Sequence, residues 1–161
     1  MRSFLFVCTA NICRSPMAEG VFRKLLAQAG IDKGYTIDSV GTHDYHVGEP
    51  PFPAAVAIAK HRGYEFSHLV ARRIAPDDFD RFDAILAMDR GNLASLRSIS
   101  PTRCKQKIEL LTAYGDRFYN KDIADPYGKA AKDFQIALDM IEDGCQGLAG
   151  LVARAPIARN Y

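Results

Sequence analysis

The sequence predicts one α/β domain of the doubly wound type, a parallel sheet with helices on both faces. Three observations predict it. Short apolar runs within 3–8 and 83–89 have strand length and the make-up of strands buried on both sides, and 107–111 reads as a further strand. Segments with apolar residues at helical spacing lie between them, so the chain alternates strand and helix. No internal repeat and no linker interrupts the 161 residues, of which 48% are hydrophobic and 25% charged. That is the size and make-up of one domain, 1–161, with a short tail after about residue 155.

The first strand is Ser3 to Cys8. A loop follows, and Pro16 stands where a helix best tolerates proline, with Ser15 before it as candidate N-cap. Ala18, Val21, Phe22, Leu25, Leu26 and Ala29 then recur at helical spacing until Gly30 stops the helix. Tyr35 to Val40 reads as a second strand. The polar stretch His43 to Pro51 is a loop, Pro53 opens a second helix, and Gly63 ends it.

A short helical turn begins at Ala75 to Phe79. Asp83 to Asp89 is the third strand, 90–98 a helix closed near Ser100-Pro101, and Lys107 to Leu111 the fourth strand. The stretch from Thr112 to Lys129 is irregular and polar. Phe134, Leu138, Ile141, Cys145, Leu148 and Val152 mark a last helix, weakened by Gly144, Gly147 and Gly150 at about 1 kcal/mol each relative to Ala. The expected sheet is four-stranded and parallel, in the flavodoxin-like order 2-1-3-4, with ligands beyond the carboxyl ends of its strands.

Cys8 stands at such an end. Cys8, five residues and Arg14 would bring a thiol and a guanidinium together at a helix N-terminus, where free N–H groups and the positive dipole end bind anions. Thr9, Ala10, Asn11, Ile12 and Cys13 can turn their N–H groups inward as a nest. Arg14 can grip two phosphate oxygens in a bidentate fork. N–H donors, guanidinium and helix dipole together favour a thiolate at Cys8. Ser15 either caps the helix or donates to that thiolate, and Asn11 either holds the loop open or is a plain turn residue.

A phosphate ester also needs an acid to protonate its leaving oxygen. Asp125, in Ala124-Asp125-Pro126-Tyr127, lies in the long irregular segment; Asp122, Asp116 and Asp89 compete with it. Tyr127 offers an aromatic wall.

Bulk properties exclude other classes. The net charge of +2 is too small to argue for nucleic acid, and no apolar run approaches the roughly 20 residues of a membrane span. Without an export pattern at Met1 to Val7, the expectation is a cytoplasmic protein with Cys8, Cys13, Cys104 and Cys145 reduced. Their spacing suits no zinc knuckle, so neither metal nor cofactor is expected. Cys104 and Cys145 read as buried side chains.

Cys8 to Pro16 resembles the signature of the low-molecular-weight protein tyrosine phosphatases. The likeness continues through Asp38-Ser39-Val40-Gly41-Thr42, Tyr45 to Pro51, Phe82 to Asp89 and Asp125-Pro126-Tyr127-Gly128. The resemblance implies that Cys8 is the nucleophile of a phosphocysteine mechanism, that Arg14 binds the phosphoryl oxygens, and that Asp125 is general acid and then base. It further implies that Asn11 and Ser39 shape the loop, that Ser15 stabilises the thiolate, and that Tyr45 and Tyr127 wall the cleft. Cys13 matches a neighbour that can trap oxidised Cys8 as a disulfide; the alternative is a packed loop residue. The implied partners are a phosphotyrosine protein substrate and a cognate tyrosine kinase, the implied form a monomer.

Some positions depart from the family pattern. Ala10 replaces a common Gly, and Pro51-Phe52-Pro53 lacks an acidic residue and a following Arg. The tandem tyrosine is absent after Tyr127, and His68 stands one residue out of register, as a surface or capping histidine. Competing readings are arsenate reductase, which needs a relay pair that Cys104 and Cys145 do not make, and protein-arginine phosphatase, whose members carry Thr where Ile12 stands. A non-catalytic phosphate-binding module is the third.

Overall fold

The computed structural model describes residues 1–154, so the tail expected after about residue 155 lies outside the described residues. Four strands, β1 Ser3–Cys8, β2 Thr36–Gly41, β3 Ala84–Ala87 and β4 Ile108–Leu110, form a parallel sheet in the order β2-β1-β3-β4. The helices among the described residues are α1 Arg14–Gln28, α2 Pro53–His61, α3 Asp78–Arg81, α4 Arg90–Ile99 and α5 Ala131–Arg154. The predicted architecture and strand order are those observed.

β1 explains the layering. Successive strand side chains point to opposite faces. Phe4 and Phe6 enter a core with α1, α2 and α5, while Leu5 and Val7 enter a second core with Phe79 of α3 and Leu96 of α4. All four are fully buried, as a central parallel strand requires. Phe22 of α1 meets both Phe4 and Phe6 edge-on, with ring centroids 5.0 and 5.5 Å apart.

Several expectations need correction. α1 starts at Arg14, so Ser15 lies inside its first turn and Pro16 is its third residue; the N-cap position is Cys13, which gives no side-chain cap. The third strand ends at Ala87, because Asp89 leaves the sheet to cap α4 through Asn92 N. The fourth strand keeps three residues, between 3-10 turns at Thr102–Lys107 and Leu111–Tyr114. The short helix predicted from Ala75 begins at Asp78.

The glycines of α5 are more than weak points. A Cβ at Gly147 would lie 1.7 Å from Tyr114 O, and one at Gly144 would lie 2.8 Å from Leu111 O. The lost helix propensity is offset by the close approach of the 3-10 turn. Gly150 faces open space and keeps its plain reading.

Candidate active site

Cys8 closes β1, and its loop presses on the end of β2. Thr42 N donates to Cys8 O and His43 N to Thr9 O, each at 2.9 Å. A Cβ at Gly41 would stand 2.7 Å from Thr9 O, so only glycine lets the strand end lie this close. On the far side Phe52 N donates to Ile12 O at 2.8 Å. The first turn of α1 carries no side-chain cap, which leaves its leading N–H groups for a ligand.

Asn11 is the hub of the loop. It takes a left-handed conformation, φ 57°, which asparagine tolerates better than most residues. Its Nδ2 donates to Ser15 Oγ at 2.9 Å and to Ser39 Oγ at 3.0 Å, and its Oδ1 accepts from Arg72 N at 3.0 Å. Arg72 is itself fixed by Asp38 and the buried Asp78, at 2.8 and 2.9 Å. Ser15 Oγ lies 3.1 Å from Cys8 Sγ and 3.2 Å from Val40 O.

Arg14 is 1% exposed. Its Nη1 donates to Asp89 Oδ2 at 2.5 Å and to Ile123 O at 2.9 Å; its Nη2 stands 3.4 Å from Thr9 Oγ1 and 3.3 Å from Asp125 Oδ2. Its Nε is buried without a partner among the described residues. Burial alone would lower the guanidinium pKa, but Cys8, Asp125 and Asp89 outweigh it and raise it. The charge is thus permanent and aimed.

The segment after β4 brings in Asp125. Ile123 N is bonded to Met88 O at 2.9 Å, and Tyr127 N to Asp125 Oδ1 at 3.2 Å. The other acids considered are elsewhere engaged or elsewhere placed. Asp122 pairs with Arg90, Asp89 holds Arg14 and caps α4, and Asp116 is outside the cleft. Cys8, Thr9, Ala10, Ile12, Cys13, Asp125, Tyr45, His46 and Tyr127 line one cleft of about 220 Å³. Phe52 braces Tyr127 edge-on at 5.2 Å and stacks on Phe134 at 5.9 Å. A larger groove, about 410 Å³ between Arg73 and Pro101, holds neither nucleophile nor acid. The smaller cleft is therefore the candidate active site.

Cys13 is buried, and its pKa is pushed up to about 12, first by burial and then by Cys8 and Asp125, with Arg14 opposing. It is a thiol at neutral pH. His68 is exposed, as expected. Cys145 and Cys104 belong to the cores on opposite faces of the sheet, so they form no relay pair.

Residue-level reading missed three supports of the loop. Asp89 reads from the sequence only as an acid, although it stands just beyond a buried strand, at the end of the sheet where Cys8 closes β1. Arg72 has a sequence signal only as the end of the stretch His68 to Arg72, which resembles the family's His-x-Ala-Arg with one residue more, and Asn92 has none. Asn92 bridges Asp89 and Thr9 when its amide faces Asp89 and its carbonyl takes the Thr9 hydroxyl at 3.2 Å.

A doubly wound sheet with a Cys-x5-Arg anion loop at the end of its first strand, and an aspartate across the cleft, defines the class of small cysteine-dependent phosphatases. The model of the low molecular weight phosphotyrosine protein phosphatase family matches residues 3–159. The chain is 45% identical over 136 residues to the human low molecular weight phosphotyrosine protein phosphatase, covering 83% of this chain and 85% of that one. It is 37% identical over 154 residues to the low molecular weight protein-tyrosine-phosphatase YfkJ of Bacillus subtilis, covering 96% and 97%. A crystal structure of a protein tyrosine phosphatase from Entamoeba histolytica superposes with a TM-score of 0.90 at 34% identity, over 94% of this chain and 97% of that one. This chain belongs to the low molecular weight phosphotyrosine protein phosphatase family.

Proposed function

We propose that this protein is a tyrosine phosphatase that hydrolyses phosphotyrosine and small aryl phosphates in two displacements at Cys8. The observation that carries the reading is Arg14. Its guanidinium is immobilised, its Nε has no partner among the described residues, and its Nη2 lies 3.3 Å from Asp125, which lines the same cleft as Cys8. A phosphoryl oxygen supplies the acceptor that Nε lacks.

In the first displacement the Cys8 thiolate attacks phosphorus. The S–P bond forms, the P–O bond to the ring breaks, and Asp125 gives its proton to the leaving phenolate. In the second, Asp125 takes a proton from water as the water oxygen attacks phosphorus, and Cys8 leaves as thiolate with inorganic phosphate released. Arg14 and the loop N–H groups stabilise the charge on the transferring oxygens in both steps. Ser15 donates to Cys8 Sγ whenever it is negative, and Asn11 and Ser39 hold Ser15 in place.

Tyr45 and Tyr127 sandwich the substrate ring over Ile12, whose apolar side chain favours an aryl over a guanidinium group. The same proposal takes phosphotyrosine proteins as substrates, a tyrosine kinase as the enzyme that makes them, and a redox-sensitive cytoplasmic monomer as the working form. None of the described helices is long and apolar enough to cross a membrane.

Hydrolysis of p-nitrophenyl phosphate tests the reading. Wild-type protein turns it over and Cys8→Ser does not. A Cys8→Ser variant with the wild-type rate rules out the covalent route.

A further inference from the structure

Pro51-Phe52-Pro53 departs from the family pattern and takes no part in the chemistry above. Phe52 is the N-cap residue of α2, a place where a polar side chain would cap the helix and a phenyl ring cannot. Its backbone is nonetheless held. Pro53 opens α2 and keeps the residue before it extended, at φ −61° and ψ 131°. Phe52 N donates to Ile12 O of the phosphate loop at 2.8 Å. The ring stacks on the buried Phe134 of α5, with centroids 5.9 Å apart and planes 12° apart. A ring fixed in this way meets Tyr127 edge-on, at 5.2 Å and 60°.

Tyr127 belongs to the segment that carries the acid. From Pro126 to Ala130 the hydrogen bonds among the described residues all stay within residues 125–133. A hollow of about 270 Å³ lies between this segment and α5, lined by Ala124, Asp125 and Lys129 and by Ile136, Ala137 and Met140. The segment therefore has room to move away from the phosphate loop. Asp125 Oδ2 does stand 3.3 Å from Arg14 Nη2, but that attraction belongs to the carboxylate. It fades when Asp125 carries the proton it is to give.

We infer that Phe52 is a positioning residue for the general acid: its ring braces Tyr127 and thereby keeps Asp125 over the leaving oxygen. This rests on the reading of Asp125 as general acid. Pro126, buried and restricted to one backbone angle, joins Tyr127 to Asp125. Tyr127 N also donates to Asp125 Oδ1 at 3.2 Å. A shift of the tyrosine ring is thus carried to the carboxyl group. His46 meets the same ring at 5.8 Å, from an exposed loop where it pairs with Glu49. Phe52 ties the ring to both the phosphate loop and α5.

The test compares Phe52→Ala and Phe52→Leu with wild type, each also in the Asp125→Ala background. kcat/KM is measured on phenyl phosphate, which has a poor leaving group, and on p-nitrophenyl phosphate, which has a good one. Phe52→Ala is expected to lower kcat/KM about tenfold more for phenyl phosphate than for p-nitrophenyl phosphate. Phe52→Leu keeps an apolar contact and falls between Phe52→Ala and wild type. In the Asp125→Ala background Phe52→Ala leaves the ratio of the two esters unchanged, because the acid it serves is gone. Weaker binding of the ring, or partial unfolding, lowers both esters alike and leaves the ratio where it was.

Amide hydrogen exchange, read by mass spectrometry on peptides that cover 122–130, needs no turnover. It should quicken about threefold or more in Phe52→Ala and stay unchanged over β1. Equal losses for both esters, or unchanged exchange at 122–130, overturn the inference. Should Phe52→Ala fail to fold, Phe52→Leu carries both arms. The phosphatase reading fails separately, if wild-type protein hydrolyses neither ester, and the exchange arm still judges the brace.

Discussion

Asp89 holds Arg14: the carboxylate Oδ2 stands 2.5 Å from Nη1 of a guanidinium that is almost wholly buried. The same carboxylate accepts from Asn92 N at 2.7 Å and caps α4. Two elements that follow buried strands, the phosphate loop after β1 and α4 after β3, are thus tied across the sheet by one ion pair. Removing one member of such a pair leaves the other charge uncompensated.

Asp89→Ala is expected to lower kcat/KM for aryl phosphates about 100-fold, the scale of misplacing a substrate-positioning group. The lost cap adds about 1 kcal/mol of destabilisation. Asp89→Asn keeps a capping oxygen and should lose activity with a smaller fall in thermal stability. Steady-state kinetics beside a melting curve separates the two effects. Unchanged kcat/KM in both variants contradicts the role given to Asp89.

Asp125 is 47% exposed and its carboxylate reaches toward Arg14 Nη2 at 3.3 Å, at the mouth of the cleft rather than its floor. That suits a proton donor for a leaving group pointing outward. Asp125→Ala should slow turnover steeply for aryl phosphates with poor leaving groups and far less for good ones. A series of substituted phenyl phosphates gives the slope. Equal losses across the series remove Asp125 as general acid.

Cys13 bears on redox behaviour. The folded chain holds this proton up to about 12, against 9.0 for an ordinary cysteine thiol. Its contribution to stability is complete below about 9 and is lost as the pH rises toward about 12. Cys13→Ala should flatten the alkaline fall in the urea midpoint. At neutral pH, peroxide should convert the Cys8 thiolate to a sulfenic acid, and the Cys13 thiol then displaces water to form the disulfide. Added thiol should restore activity. Peptide mapping that finds Cys8 oxidised and never linked to Cys13 excludes the disulfide.

Gly147 and Gly150 of α5 make a paired test of packing against propensity. Gly147→Ala drives a methyl group into Tyr114 O and should cost about 1–3 kcal/mol. Gly150→Ala meets nothing and should stabilise by up to about 1 kcal/mol. Each kcal/mol moves the melting temperature by roughly 2–4 °C in a domain of this size. Shifts of the same sign in both variants refute the packing account.

The sheet order, the helices and the loop were readable from the chain because their signals are local. β1 is apolar from Phe4 to Cys8, α1 is periodic, and Cys8 and Arg14 are separated by one turn of loop. What was hidden depends on contacts between distant segments. Nothing near Arg14 announces Asp89, 75 residues on, or the Ile123 carbonyl, 109 residues on. Glu19 with Arg23 four residues later looks like a solvated helix pair, and only the packing of α1 on the sheet makes it a buried carboxylate. Ser15 looks like a cap because Pro16 marks a helix start two residues later than the observed one at Arg14. Gly144 and Gly147 look like defects because the 3-10 turn at Leu111–Tyr114 that needs them has no sequence signal: Leu111 reads as the end of a strand and Thr112 as the start of an irregular stretch.

The most direct test of Cys8 as nucleophile is to trap its intermediate. Asp125→Ala, slowed in the hydrolysis step, is mixed with p-nitrophenyl phosphate, quenched in acid, digested and analysed by mass spectrometry. The account predicts one phosphoryl group on the peptide containing Cys8, absent when Cys8 is replaced by Ser. A phosphoryl group on another residue, or active protein that never carries one, contradicts it.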